Sequence, residues 1–147
     1  MRQYVFFVVL GFLFFGFAPV SANAADSLIV SEVWARATPP SAEVGAAYFT
    51  LENLAGTPDT LIAVASPVAS RTEMHTHSMQ DGMMMMMQLE SVEVPAGGVV
   101  EFKPGGNHIM FIGLERPLVE GERFPMTLQF EHAGLVELIV EVRGIGG

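Results

Sequence analysis

The chain has no cysteine at all, and among its 147 residues only seven are lysine or arginine and only one is tryptophan. Without thiols there are no disulfides, so the core alone must hold the fold together. Thiolate nucleophiles, dithiol redox chemistry and cysteinyl metal sites are excluded with them, as is a lipid attached through cysteine. A blue-copper electron-transfer site, which needs a cysteine thiolate, goes the same way. Sixteen acidic residues against seven basic ones give a formal net charge of −9. A field of that sign opposes nucleic acid and anionic lipid. Beyond the first two dozen residues there is no helix-period stretch of useful length, and no HExxH, serine triad or paired carboxylates. An enzyme is therefore not expected.

What is present begins with an apolar run over residues 4–20, YVFFVVLGFLFFGFAPV, preceded by Arg2 and followed by SANAA. A basic start, a greasy centre and a small-residue Ala-x-Ala site make a secretory signal. Residues 1–24 are expected to be removed on export, leaving residues 25–147 as one exported domain. Seventeen residues is short for a membrane span of about 20, so no membrane insertion is expected after cleavage. Arg2 is the only charge in the segment, and its loss takes the formal net charge from −9 to −10.

The rest reads as β-structure. Short β-rich runs at 27–36, 46–51, 60–65, 72–78, 83–89, 98–103, 108–114, 124–132 and 135–143 are divided by turn sequences such as TPPSAEVG, PAGG, PGGN and HAG. About nine strands at roughly ten-residue spacing predict an all-β antiparallel sandwich or barrel. The HAG at 132–134 predicts a tight hairpin turn between the last two runs.

The chemistry concentrates in residues 74–90, MHTHSMQDGMMMMMQLE. Folded as a hairpin about Asp81-Gly82, a favoured two-residue turn, this segment sets Met79 opposite Met84, His77 opposite Met86 and His75 opposite Gln88. Alternation of side chains along strands then puts His75, His77, Met79, Met84 and Met86 on one face. A three-residue turn instead aligns the histidines with Met83, Met85 and Met87, and both parities remain open. A second piece, NHIMFIG, carries His108 and Met110 two apart and so on one face of their strand, beside the rim formed by PGGN. If rim and hairpin meet, imidazole and thioether converge. That soft, neutral donor set suits Cu(I) and is poor for Mg, Ca or Mn, while zinc would normally add carboxylate or thiolate. Methionine can equally be packing or an adaptable docking surface. His132, in the turn, reads as a solvated surface residue.

These residues resemble the motif of the periplasmic Cu(I) chaperones called PCu(A)C: His or Met, ten residues, Met, twenty-one residues, His-x-Met. His75, Met86, His108 and Met110 match it without a gap. WARATPP at 34–40, AAYFTLEN at 46–53, VEVPAGG and FKPGGNHIMFIGLERPL are family-like as well. The resemblance implies a cupredoxin-like β-sandwich, selects the register that uses Met86, and implies one Cu(I) held by His75, Met86, His108 and Met110 in a monomer. It further implies delivery to the dinuclear centre of the cytochrome c oxidase copper-bearing subunit, alongside a Sco-type copper protein. Periplasmic copper storage or tolerance at the same site is the alternative, and a metal-free interaction module the more distant one. Some relatives carry a His/Met-rich C-terminal tail that can hold a second copper, Cu(II); with VRGIGG at residues 142–147, that second site is not expected here. The surplus donors His77, Met79, Met84, Met74 and the rest of Met83–Met87 suggest an auxiliary landing site.

Overall fold

The computed structural model describes residues 24–146. A 3₁₀ turn over Ala24–Ser27 leads into ten strands: β1 Leu28–Arg36, β2 Val44–Asn53, β3 Asp59–Ala65, β4 Ala69–Gln80, β5 Met83–Leu89, β6 Val92–Val94, β7 Val99–Phe102, β8 His108–Leu114, β9 Arg123–Phe130 and β10 Gly134–Arg143. The proposed signal segment lies outside the described residues. Among the described residues no helix is long and apolar enough to cross a membrane.

The strands form one continuous ladder in the order β5-β4-β8-β2-β1-β10-β9-β3-β6, with β7 added on β2. All pairings are antiparallel except β1 with β10, which is parallel. β2 ties the layers together. Its first half pairs with β8 from Val44 to Ala47, and its second half pairs with β7 from Phe49 to Glu52. β1 bends at a bulge between Ser31 and Trp34, where Glu32 takes φ 52°; an extra residue of this kind kinks a strand and sharpens its twist. The count is ten rather than about nine because Val92–Val94 pairs with β3. Its three residues, caught between Glu90-Ser91 and Pro95-Ala96-Gly97, are too few to show a period in the sequence.

The core follows from alternation. In β9, Phe124, Met126, Leu128 and Phe130 point inward while their neighbours face water, the pattern of a sheet with one packed and one wet face. Phe49, Leu51, Ile109 and Phe111 fill the other wall, and burying each such side chain contributes about 1.5–3 kcal/mol. Phe49 stacks on Phe102 at 4.5 Å between ring centroids. The turn between β9 and β10 is three residues, Glu131 to Ala133, closed by the pair Phe130 and Gly134. Gly134 takes φ 77°, a conformation that costs a side-chain-bearing residue dearly. Buried Asp59 reaches across from β3 to hold this turn, its carboxylate accepting hydrogen bonds from the backbone N–H groups of His132 and Ala133, both at 2.9 Å. His132 itself is exposed.

Candidate metal centre

The hairpin of β4 and β5 turns at Asp81 and Gly82, whose φ angles of 51° and 77° are those of a type I′ turn, the form that matches strand twist. The register is Gln80 with Met83, Met79 with Met84, His77 with Met86 and His75 with Gln88. On its other edge β4 pairs with β8, setting His75 beside His108 and Glu73 beside Met110. Directly paired residues project to the same side of a sheet, so Glu73, His75, His77, Met79, Met84, Met86, His108 and Met110 share one face. The opposite face of β4 and β8 supplies core. Met74, counted among the surplus donors from the sequence, belongs there at 4% exposure and is unavailable as a ligand. None of the five consecutive methionines enters the core; all are exposed, because β5 is the outermost strand. Met83, Met85 and Met87 occupy the hairpin's other side, where the Met87 sulfur accepts a hydrogen bond from the Ser78 hydroxyl at 3.1 Å.

An open cavity of about 380 Å³ sits over this face, lined by His77, Met86, His108 and Met110 with Arg36 and Tyr48. His75 is not on its wall. His108 is the floor, at 5% exposure, deeper than the rim position suggested by PGGN. As the first residue of β8 it lies beside β4, with the His77 ring stacked 5.2 Å from its own. Met86, at 46% exposure, forms the lip. The site therefore grades from a buried imidazole to an accessible thioether.

Hydrogen bonds fix which ring nitrogens are free. His108 Nδ1 lies 3.0 Å from the Gly106 carbonyl, which can only accept, so Nδ1 carries the proton and Nε2 keeps its lone pair. Burial holds the His108 pKa below its ordinary value; the Gly106 hydrogen bond opposes this, and the neighbouring His77 and His75 add to the lowering. A neutral imidazole with a bare Nε2 is a ligand. His75 Nε2 lies 2.9 Å from Glu73 Oε2, so Nε2 is the donor, and its Nδ1 is buried without a hydrogen-bond partner among the described residues. A buried polar atom left without a partner is costly unless something occupies it. Metal-binding histidines commonly give their second N–H to a carboxylate or carbonyl, and both arrangements are present here. The His75 and His77 ring centroids lie 5.9 Å and 5.2 Å from that of His108. With a metal–nitrogen bond of about 2.0 Å, two imidazoles sharing one ion sit roughly 5–6 Å apart. Among the described residues no group of three or more His, Asp or Glu forms a metal-holding cluster, which leaves the thioethers to complete any donor set.

Glu73, Arg36 and Tyr48 were not foreseen. Glu73 was findable, since it stands two residues before His75 and so on the same strand face. Arg36 and Tyr48 arrive from β1 and β2, and nothing local in their sequence points to this cavity. There the Arg36 guanidinium lies 6.0 Å from the centre of the Tyr48 ring.

Comparison with known proteins gives this fold and face a family. The family model described as "Putative lipoprotein LpqE-like" matches residues 28–142. The chain belongs to that family, which is the PCu(A)C family its motif resembles. It is 28% identical over 131 residues to "Putative lipoprotein Lxx21020" of Leifsonia xyli, covering 88% of this chain and 78% of the relative. The solution structure of Cu(I)-DR1885 from Deinococcus radiodurans is 29% identical, covers 84% of this chain and 83% of its own, and superposes with a TM-score of 0.63. The copper-bound PCuAC domain from PmoF2 superposes with a TM-score of 0.69 over 80% of this chain and 93% of its own, at 24% identity, and so speaks to the fold alone. The shared fold is the cupredoxin-like β-barrel. Unlike a cysteine-anchored lipoprotein, these 147 residues contain no cysteine.

Proposed function

We propose that this protein is an exported Cu(I) carrier that holds one ion through Met86, His108, Met110 and His75, with His77 as the adjacent donor at the cavity wall. The observation that carries the reading is the convergence of His108 and Met110 from β8 with His77 and Met86 from the hairpin around one open cavity. Similarity to a protein solved with Cu(I) bound supports the choice of ion, and so does a donor set of imidazole and thioether, which prefers soft monovalent copper. His75 is preferred as the fourth ligand because its buried Nδ1 is bare while Glu73 holds its other nitrogen.

The gradient in exposure supports carriage rather than catalysis. An acceptor's ligands approach at Met86, replace thioether first, and draw the ion off the buried His108 imidazole last. Each exchange makes one copper–ligand bond as another breaks, with no change of oxidation state. The apolar run over residues 4–20 supports a periplasmic location. The acceptor is the copper-bearing subunit of cytochrome c oxidase, with a Sco-type protein acting beside it. The test has two parts. His108→Ala combined with Met86→Leu abolishes tight Cu(I) binding in competition with a chelator while circular dichroism stays unchanged; undiminished binding refutes the site. Mixing the loaded protein with a soluble oxidase copper domain moves the metal to that domain; metal that stays behind favours storage.

A further inference from the structure

The donor face does not end at the cavity. It continues along the hairpin through Met79 and Met84, which lie beyond His77 and Met86 toward the Asp81-Gly82 turn and are 64% and 65% exposed. Two such side chains in water at the tip of an edge hairpin bury nothing, and packing does not explain them.

Their register is special. A type I′ turn closes on the hydrogen-bonded pair Gln80 and Met83, so alternation makes Met79/Met84 and His77/Met86 non-hydrogen-bonded pairs, with Cα atoms about 4.5 Å apart and side chains at their closest. Met79/Met84 is the only directly opposed pair of methionines among the described residues. Metal–sulfur bonds of about 2.3 Å let one ion bridge sulfurs roughly 4.6 Å apart, close to the spacing of opposed Cβ atoms in a ladder, about 4.5–5.5 Å. The hairpin's other face lacks this geometry. Met83, Met85 and Met87 stand opposite Gln80, Ser78 and Thr76, and neighbours along one strand are about 6.8 Å apart.

We propose that Met79 and Met84 form a second, weaker site for a soft monovalent ion, a loading port one pleat out from the cavity. It rests on the reading of the cavity as a Cu(I) site. An ion caught by the two thioethers at the tip passes to Met86 and His77, the next opposed pair, and then to His108. Every step exchanges one neutral donor for another, so no proton or electron moves. The net negative charge of the chain draws cations toward the protein.

The test uses the full chain with ¹³C-labelled methionine methyl groups, titrated with Ag(I) as the soft monovalent probe. The first equivalent shifts the Met86 and Met110 methyl signals, and the second shifts Met79 and Met84 while leaving Met83, Met85 and Met87 in place. The double variant Met79→Leu, Met84→Leu loses the second equivalent, keeps the first, and slows loading from a Cu(I) chelate severalfold. Absence of a second equivalent, its appearance at Met83, Met85 or Met87, or its survival in the double variant overturns the port. An unchanged loading rate overturns its role in acquisition. A first equivalent that leaves Met86 and Met110 unshifted overturns the cavity reading as well, so the two failures are told apart.

Discussion

Replacing Glu73 by alanine is the sharpest way to ask which histidine completes the donor set. Glu73 and His75 side chains are only 17% and 14% exposed, and their 2.9 Å contact is little screened by solvent. Removing the carboxylate frees the His75 ring to turn and lets its proton move to Nδ1, the atom that should face copper. Loss of an outer partner of a metal-bound histidine typically costs 10–100-fold in affinity, equal to about 1.4–2.7 kcal/mol at 1.36 kcal/mol per decade. Glu73→Gln keeps an oxygen that can accept from Nε2–H, and its loss should fall at the lower end. The assay is competition against a calibrated Cu(I) chelator under anaerobic, reducing conditions, at neutral pH, with His75→Ala and His77→Ala beside it. The expected order puts His75→Ala as the largest loss, Glu73→Ala next and Glu73→Gln last. If Glu73→Ala binds like the parent while His77→Ala loses the ion, the fourth ligand is His77 and the reasoning from the bare Nδ1 fails.

Three further outcomes follow from the same structure. His108 has its pKa held below the ordinary 6.5 by burial, so between the two values the unfolded chain binds more protons and stability of the metal-free protein falls as pH drops through 6.5, levelling off below the folded value; urea melts at pH 7.5 and 5.5 should show this, with a smaller difference in His108→Asn, and equal slopes count against it. Asp59 accepts hydrogen bonds from Thr60, His132 and Ala133 at 2.8–2.9 Å, and Asp59→Ala, by stranding those donors, should cost on the order of 3–5 kcal/mol in chemical denaturation; a loss under 1 kcal/mol refutes the turn-holding role. Gly113 sits at φ 69°, and a Cβ there would collide with Ser70 Oγ, so Gly113→Ala should lower stability by about 2–3 kcal/mol through the left-handed backbone and the Ser70 hydrogen bond to the Ile112 carbonyl it displaces; an unchanged melting temperature argues against it.

The hairpin was legible because its signals are local. Asp-Gly favours a two-residue turn, a three-residue turn stayed open from the residues alone, and the family resemblance chose the register the structure shows, with Met84 and Met86 on one face and Met83, Met85 and Met87 on the other. The strands of β8, β9 and β10 were legible for a similar reason, since period-two alternation is written in adjacent residues. Val92–Val94 escaped because three residues carry no period. Met74 was misjudged because a methionine on the core side of a strand and one on its wet side look alike in sequence; only the packing of one face of β4 against the core separates Met74 from Met79 on the same strand.

By itself, then, the amino-acid order determined an all-β chain without thiols, a hairpin over residues 72–89, and a set of imidazole and thioether donors, because each depends on residues a few positions apart. Tertiary structure alone decided that β8 lies beside β4, bringing His108 against His75 and His77, that Arg36 and Tyr48 wall the cavity, and that Glu73 holds one ring nitrogen while leaving the other bare. Those facts depend on the order of strands across the sheet, which is set by the burial of a whole core and is written in no single segment.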